Sequence, residues 1–174
     1  MRIHLAANFG GYALARALEA RAIAAGHDVV WHGSAEPDPD DDYPIYAVRV
    51  GKAVVEDQDA AVDAFGVLVV DDVLAGVVAA NKVNGARAVH APSSAVAIAA
   101  RRGVDANVLV LEDIAYEPSA WEALAVFMST SMEHKVAPAR RILQIEEYEN
   151  SGTIEGWAIQ LHPVQESRVY PPES

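Results

Sequence analysis

Residues 65–70, FGVLVV, form an unbroken apolar run that is cut by two adjacent carboxylates, Asp71 and Asp72. Apolar residues at helical spacing follow over 76–83. A short run bounded in this way reads as a buried strand that passes through a turn into a helix. In an open α/β sheet such a turn is the usual place for a ligand. Strand carboxyl ends and helix N-termini meet there, with free backbone N–H groups and the positive ends of helix dipoles. A phosphate cradle carries glycines at that turn; this chain carries two negative charges.

The remaining pattern repeats the same unit. Residues 2–8 alternate and end in Phe9-Gly10-Gly11, a permissive turn before a helix over 12–24. Leu14, Ala17, Leu18 and Ala22 share one side of that helix, and Gly26 ends it as a C-cap glycine does. Residues 27–32 are a second strand, 36–42 an acidic loop closed by Tyr43-Pro44, and 45–56 a second helix. Strands over 86–90 and 107–111 flank a helix over 93–102, and two further helices follow, one opened by Pro118-Ser119 and one over 138–148 that carries Arg140 and Arg141. This alternation predicts a three-layer αβα, Rossmann-like fold, with a five-stranded parallel sheet, right-handed crossovers and a helical carboxyl-terminal extension. The expected division is an α/β domain over 1–149 and a tail over 150–174. The tail's apolar Ile154, Trp157, Ile159 and Leu161 suit docking on the same or a neighbouring protomer.

Composition excludes several function classes. A net charge of −12 opposes nucleic-acid binding, which needs clustered Lys and Arg. No run approaches the roughly 18 apolar residues of a membrane span. Met1-Arg2-Ile3 leads directly into a strand pattern, so the expected location is the cytoplasm. With no cysteine, disulfides, thiolate metal sites and a cysteine nucleophile are absent. His4, His27, His32, His134 and His162 show no ligand spacing, and the acidic loop lacks the glycine and distal glutamate of an EF-hand, so no metal is expected. No G-x-G-x-x-G follows the first strand, and no cofactor is expected.

Over residues 2–149 the chain resembles the type B ribose-5-phosphate isomerases and the related galactose-6-phosphate isomerase subunits. The resemblance rests on element order and on Asp42-Tyr43-Pro44, Ala79-Ala80-Asn81-Lys82-Val83 followed by Gly85-x-Arg87, Asp105-Ala106-Asn107, and Arg140-Arg141. It implies the α/β fold, a cofactor-free aldose–ketose interconversion of sugar phosphates through a cis-enediolate, and a dimer whose sites borrow residues from the partner.

The family's motif residues mostly do not carry over. Its Asp-His-Ala-Gly after strand one is Asn8-Phe9-Gly10-Gly11 here, and its glycine-rich turn after strand three is Asp71-Asp72-Val73-Leu74-Ala75. The catalytic cysteine position is Val70, and the glutamate that replaces it in one subgroup is Gly76. The ring-opening His-Asn pair falls on Gly103-Val104, the arginine after strand five on Ile114, and the Arg-His pair of the last helix on Ala137-Pro138. Of the phosphate ligands only Arg141 remains. Two carboxylates at the cradle would repel an enediolate or phosphate by about 3 kcal/mol per contact at roughly 5 Å and an effective dielectric near 20.

The candidate catalytic residues are Asp71, Asp72 and His90, the two carboxylates as an acid/base pair unless one of them caps the helix. Asn8, Phe9, Tyr43 and Arg141 are candidates for substrate binding, with Tyr43 and Arg141 reaching the pocket across a dimer interface. The expected protein is a divergent, homodimeric member with a rebuilt site. It would catalyse proton transfer (isomerase, dehydratase or cyclase type) on a small polar, non-phosphorylated metabolite. Two alternatives stand beside it: an inactive or ligand-binding subunit pairing with a paralogue, and an aldose–ketose isomerase with displaced residues.

Overall fold

The computed structural model describes residues 1–133 and 135–155. Its elements are β1 (Arg2–Ala7), α1 (Tyr12–Ala24), β2 (Asp28–Trp31), α2 (Tyr43–Asp59), β3 (Ala64–Val70), α3 (Val73–Ala80), β4 (Ala88–His90), α4 (Ser94–Val104), β5 (Val108–Glu112), α5 (Glu117–Ser129) and α6 (Val136–Ser151). The five strands are all parallel in the order β2-β1-β3-β5-β4. Every residue of β3 is buried, as a central parallel strand covered on both faces requires. Ile3, Leu5, Val67, Val69 and Leu109 face α1, α4 and α5, while Ala6, Leu68, Val70, Val108 and Val110 face α2 and α3.

Two glycines let helices approach this close. A side chain at Gly11 would place its Cβ 2.2 Å from the Val69 carbonyl oxygen, where α1 starts over β3. At Gly66 a Cβ would lie 2.7 Å from Val50 of α2. Gly26, at φ +84°, follows the end of α1 as the sequence suggests.

The boundaries depart from expectation where side chains act on the backbone. α3 begins at Val73 rather than three residues later, because the Asp72 carboxylate accepts the Ala75 N–H at 3.0 Å and caps the helix. α2 starts at Tyr43, with Pro44 in its first turn, where the missing N–H costs nothing.

The amino ends of the strands are tied by polar side chains. Asn81 donates to the Ala88 carbonyl and accepts from its N–H, at 2.9 and 2.7 Å. The fully buried Asn107 accepts from the Arg87 N–H and donates to Gln58 and to the Gly85 carbonyl. Asp105, in the left-handed region at φ +46°, receives Arg87 on one oxygen and Arg101 on the other. α6 lies along this amino edge: Ile142 is buried, and Glu149 accepts from Asn84 and from the Gly85 N–H. Gly152 at φ +73° ends α6, and the expected tail lies outside the described residues from 156 onward.

Gly11→Ala should therefore destabilise the protein by roughly 1–3 kcal/mol, because backbone rather than a flexible side chain stands in the way. Gly103→Ala, in helix α4 with nothing within 4 Å of the added carbon, should stabilise it by roughly 0.5–1 kcal/mol. Urea midpoints of the two variants, moving in opposite directions, check both.

Candidate functional site

After β1 the chain turns through α1 to β2 on one side of the sheet. After β3 it turns through α3 toward β4 and β5 on the other. Between β1 and β3 the strand order therefore reverses, and such a switch point opens a crevice at the carboxyl ends. Asn8 follows β1 and Asp71 follows β3. The Asn8 side-chain amide donates to Asp71 Oδ1 across the crevice at 2.7 Å.

Asp71 Oδ1 also accepts the Asp72 N–H at 2.8 Å, while Oδ2 makes no hydrogen bond among the described residues. The residue is exposed. Asn8 is 5% exposed, and its Oδ1 is buried with no partner among the described residues. The two carboxylates are thus differently employed: Asp72 holds the helix start, and Asp71 stands in the crevice with one oxygen held by Asn8.

A third acid joins them from β5. Register pairs Ala7 with Val69 and Val70 with Glu112, so Asp71 and Asp113 extend adjacent strands at matching positions. The Asp113 N–H donates to the Val70 carbonyl at 3.1 Å. Its carboxylate covers Gly10, where an added Cβ would come within 2.6 Å of Oδ2. Sequence reading missed Asp113; the available signal was its place directly after strand five, equivalent to Asn8 and Asp71 after their strands. The carboxyl-edge loops 8–11, 32–42, 71–72, 91–93 and 113–116 hold eight Asp or Glu and no Lys or Arg.

The other expected residues scatter. Tyr43, carried on the first turn of α2, lines a shallow groove of about 490 Å³ with Asp72, Leu74 and Val78 of its own chain. Phe9 is 49% exposed. His90 does not face the Asn8–Asp71 crevice as expected, because β4 is the edge strand beyond β5. It borders a separate cavity of about 130 Å³ with Leu111, Glu112, Tyr116 and Ala120. Its buried Nε2 has no hydrogen-bond partner among the described residues and lies 3.8 Å from Glu112. Arg141 is exposed on α6, at the opposite edge of the sheet from Asp71.

Fold and site together define a doubly wound α/β protein with a polar, acid-lined switch-point crevice. The sequence model of the Ribose/Galactose Isomerase family matches residues 3–145, and the chain belongs to that family. It is 29% identical over 154 residues to the ribose-5-phosphate isomerase B of Mycolicibacterium paratuberculosis, covering 87% of this chain and 93% of the relative. The Mycobacterium tuberculosis protein of the same name is also 29% identical, over 87% of this chain and 91% of its own. Among solved structures, ribose-5-phosphate isomerase B from Mycoplasma genitalium with bound ribulose-5-phosphate superposes with a TM-score of 0.80 at 28% identity. The match covers 86% of this chain and 97% of that one. The Clostridium thermocellum enzyme gives 0.78 at 27% identity, over 88% and 100%.

Away from the crevice, the fold assembles a cluster that sequence spacing concealed. Pairing of β1 with β2 and packing of α2 bring His4 Nδ1 within 2.8 Å of His32 Nε2, and His4 Nε2 within 2.9 Å of Asp57, which also receives Arg2. Among the described residues no three His, Asp or Glu side chains are placed to hold a metal ion. His32 is held below the ordinary histidine value, first by burial and then by the nearby charges of His4 and Arg49. Asp57 is held below the ordinary carboxylate range, foremost by its hydrogen bond with His4; burial opposes this and Arg2 adds to it.

Because His32 resists protonation when folded, the unfolded chain takes up that proton first. Stability should then fall as pH drops through about 6.5, the ordinary histidine value. The Asp57 contribution persists above the ordinary carboxylate value and is lost as pH falls through the lower folded one. Thermal midpoints between pH 8 and 5 should decline in the native protein and decline less in His32→Asn. Equal slopes would remove His32 from the account.

Proposed function

We propose that this protein is a cofactor-independent enzyme of isomerase type that moves a proton on a small polar metabolite lacking a phosphate, with Asp71 as the acid/base. The observation that carries the reading is the 2.7 Å hydrogen bond from Asn8 to Asp71 Oδ1 across the switch point. It fixes one carboxylate oxygen, and Oδ2, which makes no hydrogen bond among the described residues, is left to act as a base that takes a proton from the carbon beside a carbonyl and returns it to the neighbouring atom. Asn8 orients the base, and Asp72 supports it by holding α3 in place. Tyr43 lines the same side. The loops around the crevice supply no cation for a phosphate dianion.

The protein acts in this reading as a cytoplasmic homodimer. Exposed Leu74 and Val78 of α3 and Ile45 and Val48 of α2 form an apolar face suited to a second copy. In the same reading residues 150–174 dock on the same or a neighbouring protomer.

A second reading is favoured by the relatives, which are named ribose-5-phosphate isomerase B, one of them solved with ribulose-5-phosphate. Arg140 and Arg141, exposed on α6, would then complete a neighbour's site and hold a phosphate there.

Deuterium uptake from heavy water into ribose, ribulose, galactose and tagatose, and into their phosphates, separates the readings by NMR. Exchange into free sugars supports the first; exchange into phosphates alone transfers the assignment to the second. No exchange into any of them would sink both. Asp71→Asn should slow the exchange about 10²–10⁴-fold. Asp72→Ala should instead lower stability by about 1 kcal/mol through the lost cap, with a much smaller effect on rate.

A further inference from the structure

We propose that the switch-point site recognises a protonated amine on its substrate, an inference that rests on the non-phosphorylated reading above and names the substrate class. Asn8 Oδ1 is a buried acceptor with no partner among the described residues, on a side chain 5% exposed whose amide nitrogen is already committed to Asp71 at 2.7 Å. A buried acceptor left unpaired is costly, so the group calls for a donor from the ligand. Asp71 Oδ2 and the Asp113 carboxylate over Gly10 stand at the ends of the two neighbouring strands. These groups accept and do not donate.

An alkylammonium has the matching chemistry, with three N–H donors, one positive charge and no acceptor. A hydroxyl satisfies one acceptor and leaves the carboxylates uncompensated. A phosphate meets only like charge, since the carboxyl-edge loops carry no Lys or Arg. The carboxylates are also not grouped for a metal ion among the described residues. The same positive charge would offset the negative charge that develops on a neighbouring enediolate, the task a cationic side chain performs in a phosphate-handling site.

Calorimetry with probes matched in size and differing in charge tests this: 2-amino-2-deoxy-D-galactose, its N-acetyl derivative, D-galactose and D-galactose 6-phosphate, with the corresponding 2-amino and neutral pentoses. The amino sugars should bind at least ten-fold tighter than the neutral ones. N-acetylation should erase the difference, and salt raised from 50 to 500 mM should shrink it. Asp113→Asn should reduce the preference for the amine. Because acetylation acts on the ligand, the comparison holds even if the variant does not fold.

Equal affinities for amine and parent sugar, tighter binding of the phosphate, or no binding of any probe would overturn the inference. An amine preference in a protein that exchanges no deuterium would leave this inference standing and remove the catalytic proposal. Deuterium exchange into neutral sugars with no amine preference would do the reverse.

Discussion

The complete burial of β3 sets the terms for everything else. A parallel strand sealed on both faces can present nothing polar along its length, so its side chains are Ala, Phe, Val and Leu, with Gly66 where α2 comes closest. Polar groups must then gather at the two ends of the strands, and the two ends are used differently. At the amino edge, Asn81, Arg87, Arg101, Asp105 and Asn107 satisfy one another and the chain ends in a closed set of hydrogen bonds. At the carboxyl edge, polar atoms remain over among the described residues: Asn8 Oδ1 has no partner, and Asp71 keeps an unbonded oxygen. Closure at one edge gives stability, and incompleteness at the other leaves a place for a ligand.

That division explains which parts of the family resemblance survive in this chain. The Asn81, Gly85-x-Arg87 and Asp105-Ala106-Asn107 segments all belong to the amino-edge network, where exchanging one member strands its buried partners. Their retention therefore reports the scaffold. Asn8, Phe9, Asp71 and Asp72 instead follow β1 and β3 at the carboxyl edge, where a change alters ligand contacts without unpicking the sheet.

The fold was legible because its signals are local. Apolar runs, helical spacing and Gly26 each act within a few residues, and the strand alternation prescribed a parallel sheet. α3 was placed late because helix spacing alone cannot locate a start; the Asp72 cap, one of the two uses the sequence allowed for these carboxylates, decides it. The crevice was half legible. Asn8 and Asp71 follow apolar runs and announced themselves, but which acid does which job depends on a hydrogen bond between residues 63 positions apart. Asp113 and the His4–His32–Asp57 cluster were missed for one reason: strand register and helix packing create these neighbours, and spacing along the chain carries no trace of them. His90 was assigned to the wrong crevice because sequence order does not reveal that β4 is the edge strand.

Charge sign at the carboxyl edge is then the quantity on which the proposed function turns. A phosphate dianion about 5 Å from one carboxylate meets roughly twice the repulsion of a single charge pair, about 6 kcal/mol at an effective dielectric of 20 before salt screening. Binding it would require at least two well-placed arginines beyond those needed to neutralise Asp71 and Asp113. The exposed Arg140 and Arg141 lie on α6 at the other edge, so within one chain they cannot supply that charge, and a second copy could do so only by covering the crevice. A positively charged ligand needs none of this rearrangement. It turns the same carboxylates from an obstacle into the binding surface.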